Sequence, residues 1–400
     1  MTPLNGSAGV RGHRHVDEAL LNDIEALQAA DRSGMLWALA SAGAQVRETA
    51  ALAAEANMAA LADEGRPRAV VVAGVGTAAR TGDLLETVAG PRCPVPVVLH
   101  RSAGIPGWVG AADAVIAVSA SGRSPEALAA AEAAGRRGAR LVAIGPPDSE
   151  LQSLADRARA PFVPVPRRAP ARASLWALTV PVLLAARTLG LVRIAEADLA
   201  ETATRLDTEA EACRPDADSF VNPAKALALN LANSIPIVWG SSPLATVAAR
   251  RVGDMLSANA RYPVVAGSLG EAGRGRVGLI DGIYGALVES ERDIFADPGE
   301  QTDRTRLRLL LLLDGGLADE ESETGAPTAE EGRRADAVVD LAGRRGVRCG
   351  VIQAEGASPL ERLASLIAVP DFASVYLALA HGLDPTAVPA VDEMKEFTRP

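Results

Sequence analysis

Four short apolar runs, AVVVAG at 69–74, PVVLH at 96–100, ADAVIAVS at 112–119 and ARLVAIG at 139–145, leave the first half of this chain little choice of architecture. Each is too short for a helix and apolar at consecutive positions, which suits a strand covered on both faces. Turn-rich or helix-compatible sequence separates one run from the next. Strand and helix in alternation build a parallel sheet with helices on both sides. IPIVWG at 235–240 opens a second alternation, which predicts a helix over 243–257, strands over 264–266, near 277–280 and over 305–314, a helix over 329–344 and a strand over 347–353. The expected fold class is therefore α/β, with two doubly wound parallel-sheet domains flanked by helices.

Around these cores the pattern has the helical period. Leu20, Leu21, Ile24 and Leu27, then Leu36, Leu39, Val46 and Ala50, predict a leading helical pair, with Asp31 and Ser33 as caps between the two. Residues 173–214 predict a long helical stretch, and 360–383 and 388–397 predict closing helices. The polar, Pro-containing RPDADSFVNP suggests a boundary near 215–222. The expected organisation is a flexible arm over 1–15, a first domain over 16–215 and a second over 222–400, interrupted by a solvated acidic loop at 314–331.

At 400 residues the chain is too long for one ordinary core. A net charge of −10 argues against nucleic acid as a partner, because such binding rests on clustered Lys and Arg. Cys93, Cys213 and Cys349 are odd in number and far apart, so neither a disulfide framework nor a metal site is expected. No secretory segment is visible, and the apolar stretches at 175–186 and 309–313 are shorter than a bilayer requires. A cytoplasmic protein without membrane contact is the expectation.

Ser119, Ser121 and Ser124 follow the third run, where a parallel sheet presents its ligand loops. Hydroxyls and the amides of a following helix can cradle a phosphate dianion. The competing reading is local, with Ser124 capping the helix that Pro125 begins. GVGTAARTGD at 74–83 also joins a strand to a helix, and Gly76 and Thr77 offer backbone and hydroxyl to a ligand. It lacks the third glycine of a dinucleotide fingerprint, having Ala79 there, and it has no Gly-Lys-Ser/Thr. Two anion loops without a lysine point to a phosphosugar, with no cofactor.

The pair VVVAGVGTAARTGDLL and VIAVSASGRSPEAL resembles the sugar isomerase (SIS) domain. NPAKALALNLANSIPIVWGSSPLATVAAR, SANARYPVVAGSLGE and DFASVYLALAHGLDPTAVPAVDEMKEF are similar to the bifunctional phosphoglucose/phosphomannose isomerase family within it. The resemblance implies two SIS-type domains, aldose-ketose isomerisation of sugar phosphates, and a homodimer with the site at the subunit interface. It implies phosphate contacts from Ser119, Ser121 and Ser124, a sugar-facing arginine at Arg172 and a lysine at Lys395. The family's first-loop serine falls on Ala78, with Thr77 beside it.

Isomerisation through an enediol needs a carboxylate to shuttle a proton and an acid-base group to open the ring. The family's Glu and His positions are held here by Ala258 and, sixteen residues on, Arg274. Neither can act as a base near neutrality. Glu271 and Asp254 lie nearby in sequence as substitute carboxylates. Arg261 and Arg274 either favour a second anionic group on the ligand or pair with those acids. The alternative function is therefore a non-catalytic sugar-phosphate sensor or a regulatory or structural dimer. His381 reads as a helix-end residue; His100 has no assigned role.

Overall fold

The computed structural model describes residues 16–63, 65–287, 305–315 and 329–397. The arm over 1–15 and most of the acidic loop, 316–328, lie outside the described residues.

The leading helical pair is broken into shorter pieces, α1 (Ile24–Ala30), α2 (Met35–Ala40) and α3 (Ala42–Glu55). Asp31, not Ser33, ties the first break, its carboxylate accepting from the amides of Met35 and Leu36 at 2.8 and 2.9 Å. There follow β1 (Val70–Ala73), α4 (Thr77–Ala89), β2 (Val97–His100), β3 (Ala114–Val118), α5 (Pro125–Arg136), β4 (Arg140–Gly145), α6 (Glu150–Ala158), β5 (Phe162–Pro164), α7 (Leu175–Thr188) and α8 (Glu196–Ala212). The second half contains α9 (Pro223–Leu231), β6 (Ser234–Gly240), α10 (Pro243–Asn259), β7 (Val265–Ser268), α11 (Leu269–Ala272), β8 (Arg306–Leu313), α12 (Ala329–Arg344), β9 (Arg348–Gln353), α13 (Pro359–Ala380) and α14 (Pro389–Phe397).

Both sheets are parallel throughout, in the orders β2-β1-β3-β4-β5 and β7-β6-β8-β9. The runs read from the sequence are strands of these sheets, with Val70–Ala73 and Ala114–Val118 buried at every position; PVVLH, expected to be covered on both faces, is instead the edge strand β2 and only half-buried. The strand expected near 277–280 is instead a 3-10 helix over Arg276–Asp281. Gly278 and Gly282 close turns there by donating to Gly275 and Leu279, and only Ile280 is buried. The expected stretch 173–214 is two helices, parted where the chain turns at Gly190 with φ +73°.

The longest apolar segment is neither of the two expected but α13, 22 residues long. It is apolar enough to cross a membrane by length and composition, yet 94% of its most apolar window is buried inside the fold. It packs on α8, α9 and α10, and one continuous apolar core runs through both halves. The polar segment 213–222 is fastened to this core. Lys225, 1% exposed, donates to the carbonyls of Leu21, Pro215 and Ala217 at 2.5–2.7 Å and lies 5.5 Å from the Tyr376 ring centre. Burial pulls its ammonium below the usual lysine range.

Helices α4 and α10 carry one half onto the other, and they run antiparallel. Arg80, near the start of α4, donates to Asp254, near the end of α10, at 2.6 and 3.0 Å. The end of α4 (Ala89) and the start of α10 (Leu244, Val247) line one cleft. Each helix runs back from the carboxyl edge of its sheet, so the carboxyl edge of the first sheet adjoins the amino edge of the second. Gly240 makes the close strand-to-helix approach possible, since a Cβ there would meet backbone atoms of Ala245 at 2.1–2.2 Å. Gly240→Ala should therefore lower unfolding stability by the upper part of the about 1–3 kcal/mol that overpacking costs, measured by urea denaturation.

Candidate functional site

The switch point of the first sheet lies between β1 and β3, where the chain leaves β1 for β2 on one side and β3 follows on the other. The loops after these two strands are neighbours. A Cβ on Gly74 would lie 2.8 Å from the carbonyl of Val118. Gly76 is exposed with φ +60°, and Thr77 starts α4 with a hydroxyl that has no partner among the described residues. His100 ends β2 beside them. Its carbonyl accepts from Gly74 at 3.1 Å, and its Nε2 is buried without a partner among the described residues.

The three serines converge. The Oγ of Ser119, itself fully buried, lies 2.8 Å from that of Ser124 and 3.4 Å from that of Ser121, and it accepts from the amide of Gly122 at 3.0 Å. Ser124 is the residue before α5, yet its side chain makes no capping bond. The local reading, capping by Ser124, is therefore not what this hydroxyl does. It turns inward to Ser119 and leaves the first amides of α5 open. Gly122 fixes the turn, for it has φ +70° and a Cβ there would lie 2.4 Å from Ser149 Cβ. A small cavity of about 100 Å³ is lined by Ser121, of the three serines, together with Pro170, Ala171 and Ser174. That volume takes a phosphoryl-sized group and is well below the roughly 300 Å³ of small-molecule pockets.

Arg172 stands beside that wall and joins three distant segments. Its guanidinium donates to the carbonyl of Ala258 at 3.0 Å, to Asn259 Oδ1 at 3.3 Å and to the carbonyl of Thr386 at 2.8 Å. No carboxylate contacts it among the described residues. Burial first, then the neighbouring charges of Arg251 and Arg261, pull its pKa below the usual arginine range, against a weaker pull upward from Asp384. Behind it, Arg251 binds Asp371 in the core, with Nη2 2.8 Å from Oδ2, and donates to the carbonyl of Arg172 at 2.6 Å. Arg172, held only by neutral acceptors, thus brings a positive charge to the end of the molecule where the carboxyl edge of the first sheet carries the serine turn.

The other expected residues divide. Ala258 lies at this end. Arg261 donates to the carbonyls of Asp384 and Ala387 at 3.4 and 2.9 Å and does not pair with Asp254, which holds Arg80. Lys395 is on α14, and its side chain lies outside the described residues. Glu271 and Arg274 are exposed and sit past the carboxyl end of β7, at the opposite edge of the second sheet from Ala258. Within one chain, Glu271 is not brought to the Ala258 position. Sequence reasoning missed the pair formed by Tyr262 and His381, with Oη and Nε2 2.6 Å apart at the Ala258 end. His381 also closes the C-terminal end of α13, as expected, its amide donating to Leu377 and Ala378.

The sheet pair, with a hydroxyl turn at the switch point of the first, defines an α/β protein of two parallel sheets with an anion loop at one of them. The profile of the bacterial phospho-glucose isomerase C-terminal SIS domain matches residues 220–397. A bifunctional phosphoglucose/phosphomannose isomerase from Caldicellulosiruptor bescii is 29% identical over 328 residues, 82% of this chain and 88% of that one. The chain is similar to this bifunctional phosphoglucose/phosphomannose isomerase, and departs from the family's pattern at positions 258 and 274. Among solved structures, a hypothetical protein from Thermus thermophilus superposes with a TM-score of 0.66 at 15% identity, covering 95% of this chain and 94% of that one. A putative phosphosugar isomerase from Clostridium difficile gives 0.62 at 12% identity, covering 91% and 97%. Both share the fold.

Proposed function

We propose that this protein binds a sugar phosphate, with the phosphoryl group on Ser119, Ser121, Ser124 and the opening amides of α5, and the sugar directed toward Arg172. The observation that carries this reading is the inward hydroxyl of Ser124, which serves the turn and not the helix end. Gly76 and Thr77 supply the neighbouring loop. The cavity at Ser121 is too small for a whole hexose, so the sugar extends out of it. This supports a homodimer in which a second copy covers that part of the ligand.

Isomerisation by the family's route lacks both proton carriers. Each such group contributes a factor of about 10² to 10⁴, so binding without this chemistry, as a sensor or regulator, is the function the site fits best. Thermal unfolding with glucose, fructose and mannose 6-phosphates should show stabilisation absent with the unphosphorylated sugars. A coupled assay converting mannose 6-phosphate to fructose 6-phosphate should show no turnover. Stabilisation by the bare sugars, or by none of the six compounds, would remove this reading.

The Tyr262–His381 contact favours one second reading, in which that pair exchanges protons with a sugar held at Arg172. It requires turnover in the coupled assay that His381→Ala abolishes.

A further inference from the structure

A cavity of about 1240 Å³ lies at the far end of the α4–α10 pair from the serine turn. There the carboxyl edge of the second sheet meets the amino edge of the first. In the order β7-β6-β8-β9 the chain leaves β6 for β7 on one side and β8 lies on the other, so the gap between β6 and β8 is the switch point of this sheet. Its innermost position is already taken by a carboxylate of the chain. Asp314, 2% exposed, accepts from Ser242 Oγ and from Arg362 Nε at 2.8 Å each, while its amide donates to Ser241 Oγ at 3.0 Å. A ligand must therefore lie farther out, in the cleft itself.

Six arginines line that cleft, of which Arg362 is held by Asp314 and Arg334 by Glu330; the other four are Arg66 ahead of β1, Arg92 after α4, Arg193 between α7 and α8, and Arg250 on α10. Among the described residues none of these four side chains has a hydrogen-bond or ion-pair partner. Several carboxylates of the wall are engaged. Asp83 holds Arg80 and Arg101, Asp198 accepts from the amide of Ala195, and Asp314 is bound as above. Glu86 and Glu331 complete the acids. A single exposed arginine is ordinarily a solvated surface charge. Four from separate segments around one cleft, in a chain of net charge −10, make a local positive field that an anion relieves. The volume exceeds the roughly 300–1,000 Å³ of ordinary small-molecule sites, and one phosphate would leave most of these cations unmatched.

We infer that this cleft is a second binding site, for an anion of nucleotide size carrying two or more phosphate groups. Arg66, Arg92 and Arg193 come from the first half and Arg250 from the second, so the bound anion bridges the two. The site is independent of the sugar-phosphate reading.

Calorimetric titration of the full chain with ATP and with pyrophosphate, at fixed ionic strength, tests it. ATP should bind the unaltered protein, and an Arg193→Ala/Arg250→Ala variant should weaken binding by about tenfold or more. A Ser121→Ala/Ser124→Ala variant should bind ATP as before. Arg66→Ala and Arg92→Ala, each at an exposed position, give a second pair of variants should the first lose its melting transition. Absence of heat with both probes, equal affinity in the arginine variants, or loss of ATP binding in the serine variant would each overturn the inference.

Discussion

Ser124→Asp should abolish the thermal stabilisation given by glucose 6-phosphate while leaving the unliganded melting temperature nearly unchanged. The new carboxylate would stand about where the Ser124 hydroxyl now lies, 2.8 Å from that of Ser119. It would accept the donors meant for a phosphoryl group and repel the dianion. The second half of the molecule already contains this arrangement, for Asp314 occupies the hydroxyl of Ser242 at the corresponding edge of its sheet. At a ligand concentration of about 100 Kd the stabilisation at stake is about 2.7 kcal/mol. A scan with and without ligand reads it, and a stabilisation that survives in the variant would place the phosphate elsewhere.

A second large effect is expected in the core behind Arg172. Asp371→Ala removes the partner of Arg251, whose side chain is 4% exposed, and leaves a buried charge without compensation. Loss of one partner of a buried pair costs about 3–5 kcal/mol, whereas exchange of both for apolar groups is often neutral or stabilising. Urea unfolding should show that loss for Asp371→Ala and recover most of it in Arg251→Met/Asp371→Leu. Burial pushes the Asp371 carboxyl up and Arg251 draws it back, so their contact is what keeps the pair in place. Arg251 also binds the carbonyl of Arg172. Asp371→Ala should therefore weaken sugar-phosphate binding as well, and equal loss of stability in the single and double variants would contradict this account.

The central strands were legible because strands covered on both faces are continuous apolar runs, and such runs are short and unmistakable in Val70–Ala73, Ala114–Val118 and Ser234–Gly240. β5 escaped because three residues ending in Pro164 carry no period. Val277, Leu279 and Ile280 look like part of a strand, but glycines at 275, 278 and 282 let the backbone close on itself before it can pair. The serine turn was legible in composition but not in geometry. Ser124 before Pro125 fits a helix cap and a ligand cradle equally well, and only the direction of its hydroxyl separates the two. The meeting of Arg172 with Ala258 and Thr386 was beyond sequence reasoning, because it depends on how α10 and α13 pack. The separation of Glu271 from Ala258 was hidden for a similar reason: thirteen residues of sequence cross from one edge of the sheet to the other.

A crystal of the protein soaked with fructose 6-phosphate should show where the phosphoryl group sits. Its oxygens are expected within hydrogen-bond distance of the Ser119, Ser121 and Ser124 hydroxyls, with the sugar extending toward Arg172. A phosphoryl group bound only among Arg66, Arg92, Arg193 and Arg250, or a serine turn that stays closed on itself at saturating ligand, would contradict that placement.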